Sequence, residues 1–322
     1  MATLTSSPTK AKLGSQSRRS FPWHIVVFMA PGFLVYTIFM IYPIFGSLIT
    51  SLYAPNPQNV QQLDFVGLRN YETLLTAPQW TERLFNAIRN NFVFFAIHMM
   101  VQNPIGLLLA SLISSQFVRF RTVYRTLIFT PTVLSFVLVG FVWQIMLSPL
   151  WGIARALLQS IGLGELYQPF LGQESTALIT VSLISVWQYV GIPMMLFTAA
   201  LISIPDEIIE AARVDGANFW TVFWRIKFPL ILPTVGIVGV LTFVGNFNAF
   251  DLVYTMQTAL ANPNFSTDLL GTFFYRTYFG FQLQAGSPTM GATIAGVMFL
   301  IILTGVLIYL FGYQRRITRV EF

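Results

Sequence analysis

The chain is 322 residues long, 55% hydrophobic and only 9% charged, whereas soluble domains carry roughly 25% charged residues. These proportions exclude an ordinary soluble globular domain and define an integral membrane protein. The formal net charge of +6 is spread along the chain as a topology signal and gives a nucleic-acid partner little support, and the absence of cysteine excludes disulfides, thiolate catalysis and cysteine metal sites.

Residues 1–22, rich in Ser, Thr and Lys, are expected to form a disordered basic tail. The apolar run that follows is too long for a cleaved signal and lacks a small-x-small site, so it reads as an uncleaved first span. A helical span needs about 20 mostly apolar residues. Charge-poor runs of that length fall near Trp23–Leu52, Ala87–Ser115, Val123–Leu147, Ala177–Ile202, Pro229–Tyr254 and Thr289–Tyr313. The expectation is therefore an all-α protein with six transmembrane helices over residues 23–313 and a short tail at 314–322. The longest connection, about residues 53–86, leaves no room for a large water-soluble domain. Pro43, Pro104, Pro131 and Pro193 fall inside spans, where they can kink a helix whose freed backbone groups are satisfied by neighbours. Leu150, Ala154, Leu157, Leu158 and Ile161 have the spacing of a short amphipathic helix. The 31 Phe residues are accounted for by lipid contact and packing, and Trp23 and Tyr313 by interfacial anchoring.

Orientation follows from Lys and Arg. With the N-terminus inside, the cytoplasmic segments hold Lys10, Lys12, Arg18, Arg19, Arg119, Arg121, Arg125, Arg213, Arg225, Lys227, Arg315, Arg316 and Arg319. The outer segments and their borders hold Arg69, Arg83, Arg89, Arg155 and Arg276. The excess of positive charge on one side places both termini in the cytoplasm.

The long charged connection between the fourth and fifth spans, about residues 203–228, is the most informative segment. Ser203 is expected to cap a short helix whose first turn carries Pro205, Asp206 and Glu207. Gly216 suits a left-handed helix end, and Asn218 is placed to cap a second helix running to about Lys227. Ala211, Ala212 and Ala217 keep the elbow thin, while Phe219, Trp220, Phe223 and Trp224 supply apolar bulk, so the segment can fill a partner's groove. The run Glu210-Ala211-Ala212-Arg213-Val214-Asp215-Gly216-Ala217, followed by Phe223, Ile226, Pro229 and Pro233, resembles the EAA coupling loop of binding-protein-dependent ABC importer permeases. Phe228 stands where that pattern usually has Leu. Phe65-Val66-Gly67-Leu68-Arg69-Asn70-Tyr71 is similar to an F-V-G-L-x-N-Y element of the carbohydrate-type permeases. Phe250-Asp251, Ser266-Thr267-Asp268 and Tyr275-Arg276 resemble the exit of their fifth span, although Ala261-Asn262-Pro263-Asn264 replaces a frequent Gly-Gly-Pro turn.

The resemblance implies the type I ABC importer permease fold and a non-catalytic subunit in the bacterial inner membrane. It also implies a second related permease, two cytoplasmic ATP-binding subunits and a periplasmic solute-binding protein as partners. No cofactor is expected on this chain; ATP and magnesium would sit on the ATPase subunits. Glu210, Ala211, Ala212, Asp215, Gly216, Ala217 and Phe223 would couple the ATPase to the spans, with Glu210 and Asp215 meeting basic groups and Gly216 setting the elbow.

Polar groups inside spans tend to face the bundle interior or an aqueous path. The candidates are His98, Gln102 and Asn103, then Gln144, Gln188, Asn246, Asn248 and Asp251, with Trp187 and Tyr189 as aromatic platforms. Amides and aromatic faces together suit a sugar, whose ring presents hydroxyl edges and C–H faces. Each is open to a second role in helix–helix hydrogen bonding, and Asn246 and Asn248, two apart, share a face only if the helix is irregular. Arg276, Arg155 and His98 leave a charged sugar derivative open. The only two histidines, His24 and His98, lack metal-ligand spacing, and no H-E-x-x-H, G-x-S-x-G or G-x-x-x-x-G-K-[ST] pattern occurs. The alternative is an ion-coupled secondary transporter, which also places polar residues near the midplane.

Overall fold

The computed structural model describes residues 23–59, 61–115, 118–282 and 285–315. The tail at 1–22, most of the tail at 314–322, and with them Lys10, Lys12, Arg18, Arg19, Arg316 and Arg319, lie outside the described residues. The chain divides into two units at Gly46 and Ser47, and each is taken by itself. The helical stretch Ile25–Thr50 is long and apolar enough to span a membrane.

In the larger unit two further helices, Pro78–Ile113 and Pro288–Gln314, meet the same criterion. The other three expected spans are broken. Arg121–Val133 meets Phe136–Leu147 at 93°, Glu174–Tyr189 meets Gly191–Ile202 at 43°, and Phe219–Leu230 meets Leu232–Phe247 at 66°. The chain therefore has up to six spans, three of them bent. Each break has a local cause. Leu134 is extended three residues after Pro131, and Ser135 caps the following helix by accepting from the Val137 N–H at 3.3 Å. Gly191 lies so close to the Phe129 backbone that a Cβ would stand 2.9 Å from the Phe129 Cα. Ile231, flanked by Pro229 and Pro233, leaves the helical region with ψ 2°.

Two boundaries differ from the sequence expectation. The second span begins at Pro78 rather than near Ala87, because the amphipathic turns before Ala87 pack Leu84 into the core. The fifth span ends at Phe247 rather than Tyr254; Asn248 is no longer helical and a separate helix, Asp251–Gln257, starts after it.

Wide, π-helical turns occur at Thr37–Ile41, His98–Gln102, Phe223–Lys227 and Tyr309–Gln314. The first three directly precede a proline by one residue. Tyr42 N–H donates to Thr37 O, Asn103 N–H to His98 O and Phe228 N–H to Phe223 O, and the next residue in each case is Pro43, Pro104 or Pro229. A proline ring clashes with the carbonyl four residues back. Widening the preceding turn to a five-residue spacing relieves that clash without ending the helix.

The connection after the first span carries the F-V-G-L-x-N-Y element. Tyr53–Pro55 pairs antiparallel with Leu63–Phe65, Tyr53 opposite Phe65, a small hairpin that span counting did not foresee. Gly67 takes φ +59° at its exit. Buried Asn70 then donates from Nδ2 to Ser51 O and Tyr53 O, both at 2.8 Å, and the Tyr71 hydroxyl lies 2.8 Å from Ser51 Oγ. The motif is thus a staple that ties the hairpin to the end of the first span's segment in this unit. Ala154–Ser160 is the expected short helix, with Leu157 and Ile161 exposed.

Candidate functional site

A half-open cavity of about 450 Å³ lies where the second, fourth and fifth spans meet. His98 and Gln102 enter it from the wide turn ahead of Pro104. Tyr189 comes from the last residue of the first half of the fourth span. Asn246, Asn248 and Asp251 come from the end of the fifth span and the irregular turn that leads into the Asp251–Gln257 helix. The irregular backbone that sequence spacing required for Asn246 and Asn248 to act together is present.

The His98 imidazole is held at both nitrogens. Nδ1 lies 2.8 Å from Phe94 O, a carbonyl that can only accept, so this nitrogen carries hydrogen; Nε2 lies 3.0 Å from Ser185 Oγ. The neutral ring satisfies both bonds. Gln102 is only 6% exposed, and its Oε1 is buried with no hydrogen-bond partner. Asn248 is exposed, with Nδ2 donating to Val244 O at 2.9 Å. Thr242 and Ser185 also line the cavity, as do Phe94 and Phe250. Hydroxyl and phenyl groups at these positions carry no signal in a scan for polar residues in apolar runs.

The other four candidates lie elsewhere. Asn103 exchanges hydrogen bonds with Thr242 Oγ1 at 3.1 and 3.3 Å. Gln144 Nε2 donates to Met256 O at 2.6 Å, tying the third span to the Asp251–Gln257 helix. Gln188 Nε2 donates to Leu134 O at 3.2 Å, and the Gln188 backbone carbonyl accepts from Thr132 Oγ1 at 2.9 Å, across the bend in the third span. Trp187 packs edge-on against Trp143 with centroids 5.5 Å apart. These contacts are helix–helix contacts of the kind amides and indoles make in membranes.

Asparagines that carry no signal in the apolar runs tie the second span to the end of the fifth and to the segment beyond it. Fully buried Asn91 donates from Nδ2 to Asn246 O at 2.9 Å and accepts from Leu270 N–H at 2.7 Å. Asn86 donates to Phe265 O at 2.8 Å, and Asn90 to Ser266 O and Asp268 O at 3.1 and 3.0 Å. Beyond them Arg276 forms a fork on Asp268, with both side chains wholly buried: Nη2 to Oδ2 at 2.6 Å and Nη1 to Oδ1 at 3.3 Å. Thr272 Oγ1 donates to the same carboxylate at 2.7 Å. Ala261 (φ +49°) and Asn264 (φ +46°) adopt glycine-like backbone in the Ala261-Asn262-Pro263-Asn264 turn, so the turn keeps a glycine conformation without its glycines.

At the other end, the 203–228 segment forms the expected helix–elbow–helix with one correction. Ser203 does not cap the first helix: its Oγ donates back to Ala200 O at 2.8 Å and the residue ends the preceding helix. Pro205 occupies the cap position and the helix runs Asp206–Val214. Its end is a Schellman turn. Ala217 N–H donates to Ala212 O and Gly216 N–H to Arg213 O, with Gly216 at φ +83°. Asn218 Oδ1 then accepts from Thr221 N–H at 2.9 Å, capping the second helix.

Glu210, Ala211, Asp215 and Gly216 are exposed, while Ala212 and Ala217 pack on a core of Phe197, Leu201, Ile204, Ile209 and Val222. Phe223, expected to add to the apolar knob, is buried; Phe219, Trp220 and Trp224 remain outside at 60, 65 and 51% exposure. Behind the elbow lies a cavity of about 480 Å³, lined among others by Glu210, Ala217, Phe223 and Lys227.

A broken-helix bundle with a largely apolar cavity carrying a few polar groups at one level and an exposed charged elbow at another is the build of a transport permease, and the comparisons agree. Residues 102–319 match the family model for the binding-protein-dependent transport system inner membrane component, and the chain belongs to that family. It is 32% identical to the probable ABC transporter permease protein YurN of Bacillus subtilis over 79% of this chain and 84% of that one. It is 28% identical to the arabinooligosaccharides transport system permease protein AraP of Bacillus subtilis, over 91% and 88% of the two chains. To the alpha-glucoside transport system permease protein AglF of Rhizobium meliloti it is 29% identical, over 92% and 85%. The fold matches a chain of a bacterial ABC transporter involved in the import of the acidic polysaccharide alginate, with TM-score 0.73 and 24% identity over 93% of this chain and 96% of that one. The chain is a multi-pass membrane permease with the six-helix ABC importer fold.

Proposed function

We propose that this permease forms half of the translocation path of an ATP-driven importer for a carbohydrate or glycoside. The observation that carries this reading is the cavity at the end of the fifth span, which gathers His98, Gln102, Tyr189, Asn246, Asn248 and Asp251. Hydroxyl-binding amides next to aromatic faces suit a sugar, and relatives named for arabinooligosaccharides, alpha-glucosides and lactose support that class.

A second related permease supplies the other half of the path, a periplasmic binding protein delivers the substrate, and two cytoplasmic subunits hold ATP and magnesium. The chain itself binds no cofactor and performs no hydrolysis. Glu210, Ala211, Ala212, Asp215, Gly216, Ala217 and Phe223 transmit the closure of the ATPase pair: the exposed acids meet basic groups, and the Schellman elbow, seated on its own core, moves as a body with the fourth and fifth spans. The permease lies in the bacterial inner membrane with both termini and the elbow in the cytoplasm, the arrangement favoured by the distribution of Lys and Arg. Four internal amide and indole candidates, Asn103, Gln144, Trp187 and Gln188, serve the bends rather than the substrate. An ion-coupled secondary transporter finds no support in the family match.

The test is to purify the tagged chain gently from native membranes and identify its bound partners by mass spectrometry, wild type beside Glu210→Lys. Recovery of an ATPase and a second permease, with the ATPase lost from the variant, is the expected result. Recovery of the chain alone, unchanged in the variant, would overturn the reading.

A further inference from the structure

The cavity at the end of the fifth span has a definite sign. No lysine or arginine lines it among the described residues; its one charged residue is Asp251, in the first turn of the Asp251–Gln257 helix. The arginines that the sequence offered to an anion are engaged elsewhere. Arg276 is wholly buried on Asp268 and Ala259 O, and Arg155 lies 5.9 Å from the ring centroid of Tyr167. His98 has both ring nitrogens engaged, by Phe94 O and Ser185 Oγ. Its uncharged polar groups, the Gln102, Asn246 and Asn248 amides and the Tyr189 and Thr242 hydroxyls of the cavity, both donate and accept, so they match sugar hydroxyls without selecting charge, and the sign of the cavity rests on Asp251.

We infer that this cavity, taken as the substrate site proposed above, selects hydrogen-bond-donating solutes of neutral or positive charge, such as neutral sugars and amino sugars, and excludes acidic sugars through Asp251. A carboxylate on the sugar would face Asp251 with no lysine or arginine of this chain in the lining to offset the repulsion. Hydroxyl or ammonium donors meet the Asn248 oxygen and the Asp251 carboxylate. Asp251 is thus a specificity residue, and its position at a helix start after the irregular turn aims it into the path.

The test uses the complete purified transporter without its binding protein, so that the delivery protein's own preference is absent. Binding of three matched probes, maltose, chitobiose with free amines and a maltose uronate, is followed by isothermal titration for wild type, Asp251→Asn and Asn248→Lys. The expected wild-type order places the diamine at or above maltose and the uronate at least about tenfold weaker. Asp251→Asn narrows the spread between probes by about tenfold. Asn248→Lys, on an exposed side chain that tolerates length, inverts the order toward the uronate. A uronate that binds wild type as well as maltose does overturns the charge selection while leaving the carbohydrate path standing, as does an order that neither variant changes. Failure of all three probes to bind overturns the proposed path, and this inference with it.

Discussion

Asn91 is bonded to the backbone of Asn246 across the bundle: its Nδ2 donates to Asn246 O at 2.9 Å, and its Oδ1 accepts from the Leu270 N–H at 2.7 Å. One fully buried amide thereby closes the end of the fifth span and the start of the Leu270–Phe279 helix. Asn91→Leu keeps the volume and strands a carbonyl and an N–H in the interior, each worth about 1–3 kcal/mol. Thermal unfolding of the detergent-solubilised complex should fall accordingly. Transport should fall further than stability explains, because Asn246, Asn248 and Asp251 lose the anchor of their turn. Unaltered transport at a lowered unfolding temperature would confine Asn91 to packing.

The Asp268–Arg276 fork beyond it sets up a second comparison. Removing one partner of a buried pair leaves an uncompensated charge and costs about 3–5 kcal/mol, whereas replacing both by apolar groups is often near neutral. Arg276→Met alone should strongly destabilise the permease, and Asp268→Leu with Arg276→Met should recover most of the loss. A double variant as unstable as the single one would show that the bonds from Arg276 to Ala259 O and from Thr272 to Asp268, rather than charge balance, hold the turn.

What the sequence disclosed depended on which interactions decide each feature. Span number follows from the length of apolar runs, and the elbow from local turn chemistry at Gly216 and Asn218; both were legible. Pro131 and Pro193 foreshadowed the bends at Leu134 and Val190, whose angles depend on the helices packed against them; Pro43 and Pro104 instead lie in unbroken helices, and the bend at Ile231 was not foreseen. The sorting of amides into cavity and contact was not legible. A residue's direction depends on helical phase, and a wide turn that absorbs one extra residue shifts that phase by about 100°. Gln102 and Asn103 are neighbours on either side of that decision: one reaches the cavity wall, the other bonds Thr242. Asn86, Asn90 and Asn91 were passed over because their partners lie some 155 to 179 residues away in the chain.

Gly216 tests the elbow. Its φ of +83° is open to glycine and tolerable for asparagine, and a Cβ would meet nothing within 4 Å, so the cost of a larger residue is conformational alone. Gly216→Val should cost about 1–3 kcal/mol of local strain and uncouple ATP hydrolysis from uptake, while Gly216→Asn should retain most of the transport. Reconstituted uptake and ATPase rates measured side by side decide it; equal uptake for Val and wild type would remove the rigid-lever mechanism.

The lack of native cysteine makes the sorting of amides directly measurable. A single Asn248→Cys should react with a water-soluble maleimide and be protected by a bound sugar, while Gln188→Cys, at a position 1% exposed and bonded across the third-span bend, should resist the reagent. Equal labelling at both sites would place the aqueous path elsewhere in the bundle.

Pro104 offers the sharpest separation of stability from function. Its ring holds the His98–Gln102 turn wide, with Asn103 N–H bonded to His98 O. Pro104→Ala removes the clash and supplies an N–H, so the turn can close to ordinary α-helical spacing. Closure would rotate His98 away from Ser185 Oγ, now 3.0 Å from its Nε2, and turn Gln102 out of the cavity wall. Stability should hold steady or rise by about 1 kcal/mol from the extra helical bond, while uptake drops. Loss of folding would move both downward together, so a variant that unfolds no sooner yet transports poorly assigns the defect to the turn. A variant that transports at the wild-type rate shows that the cavity works with a regular helix in its wall.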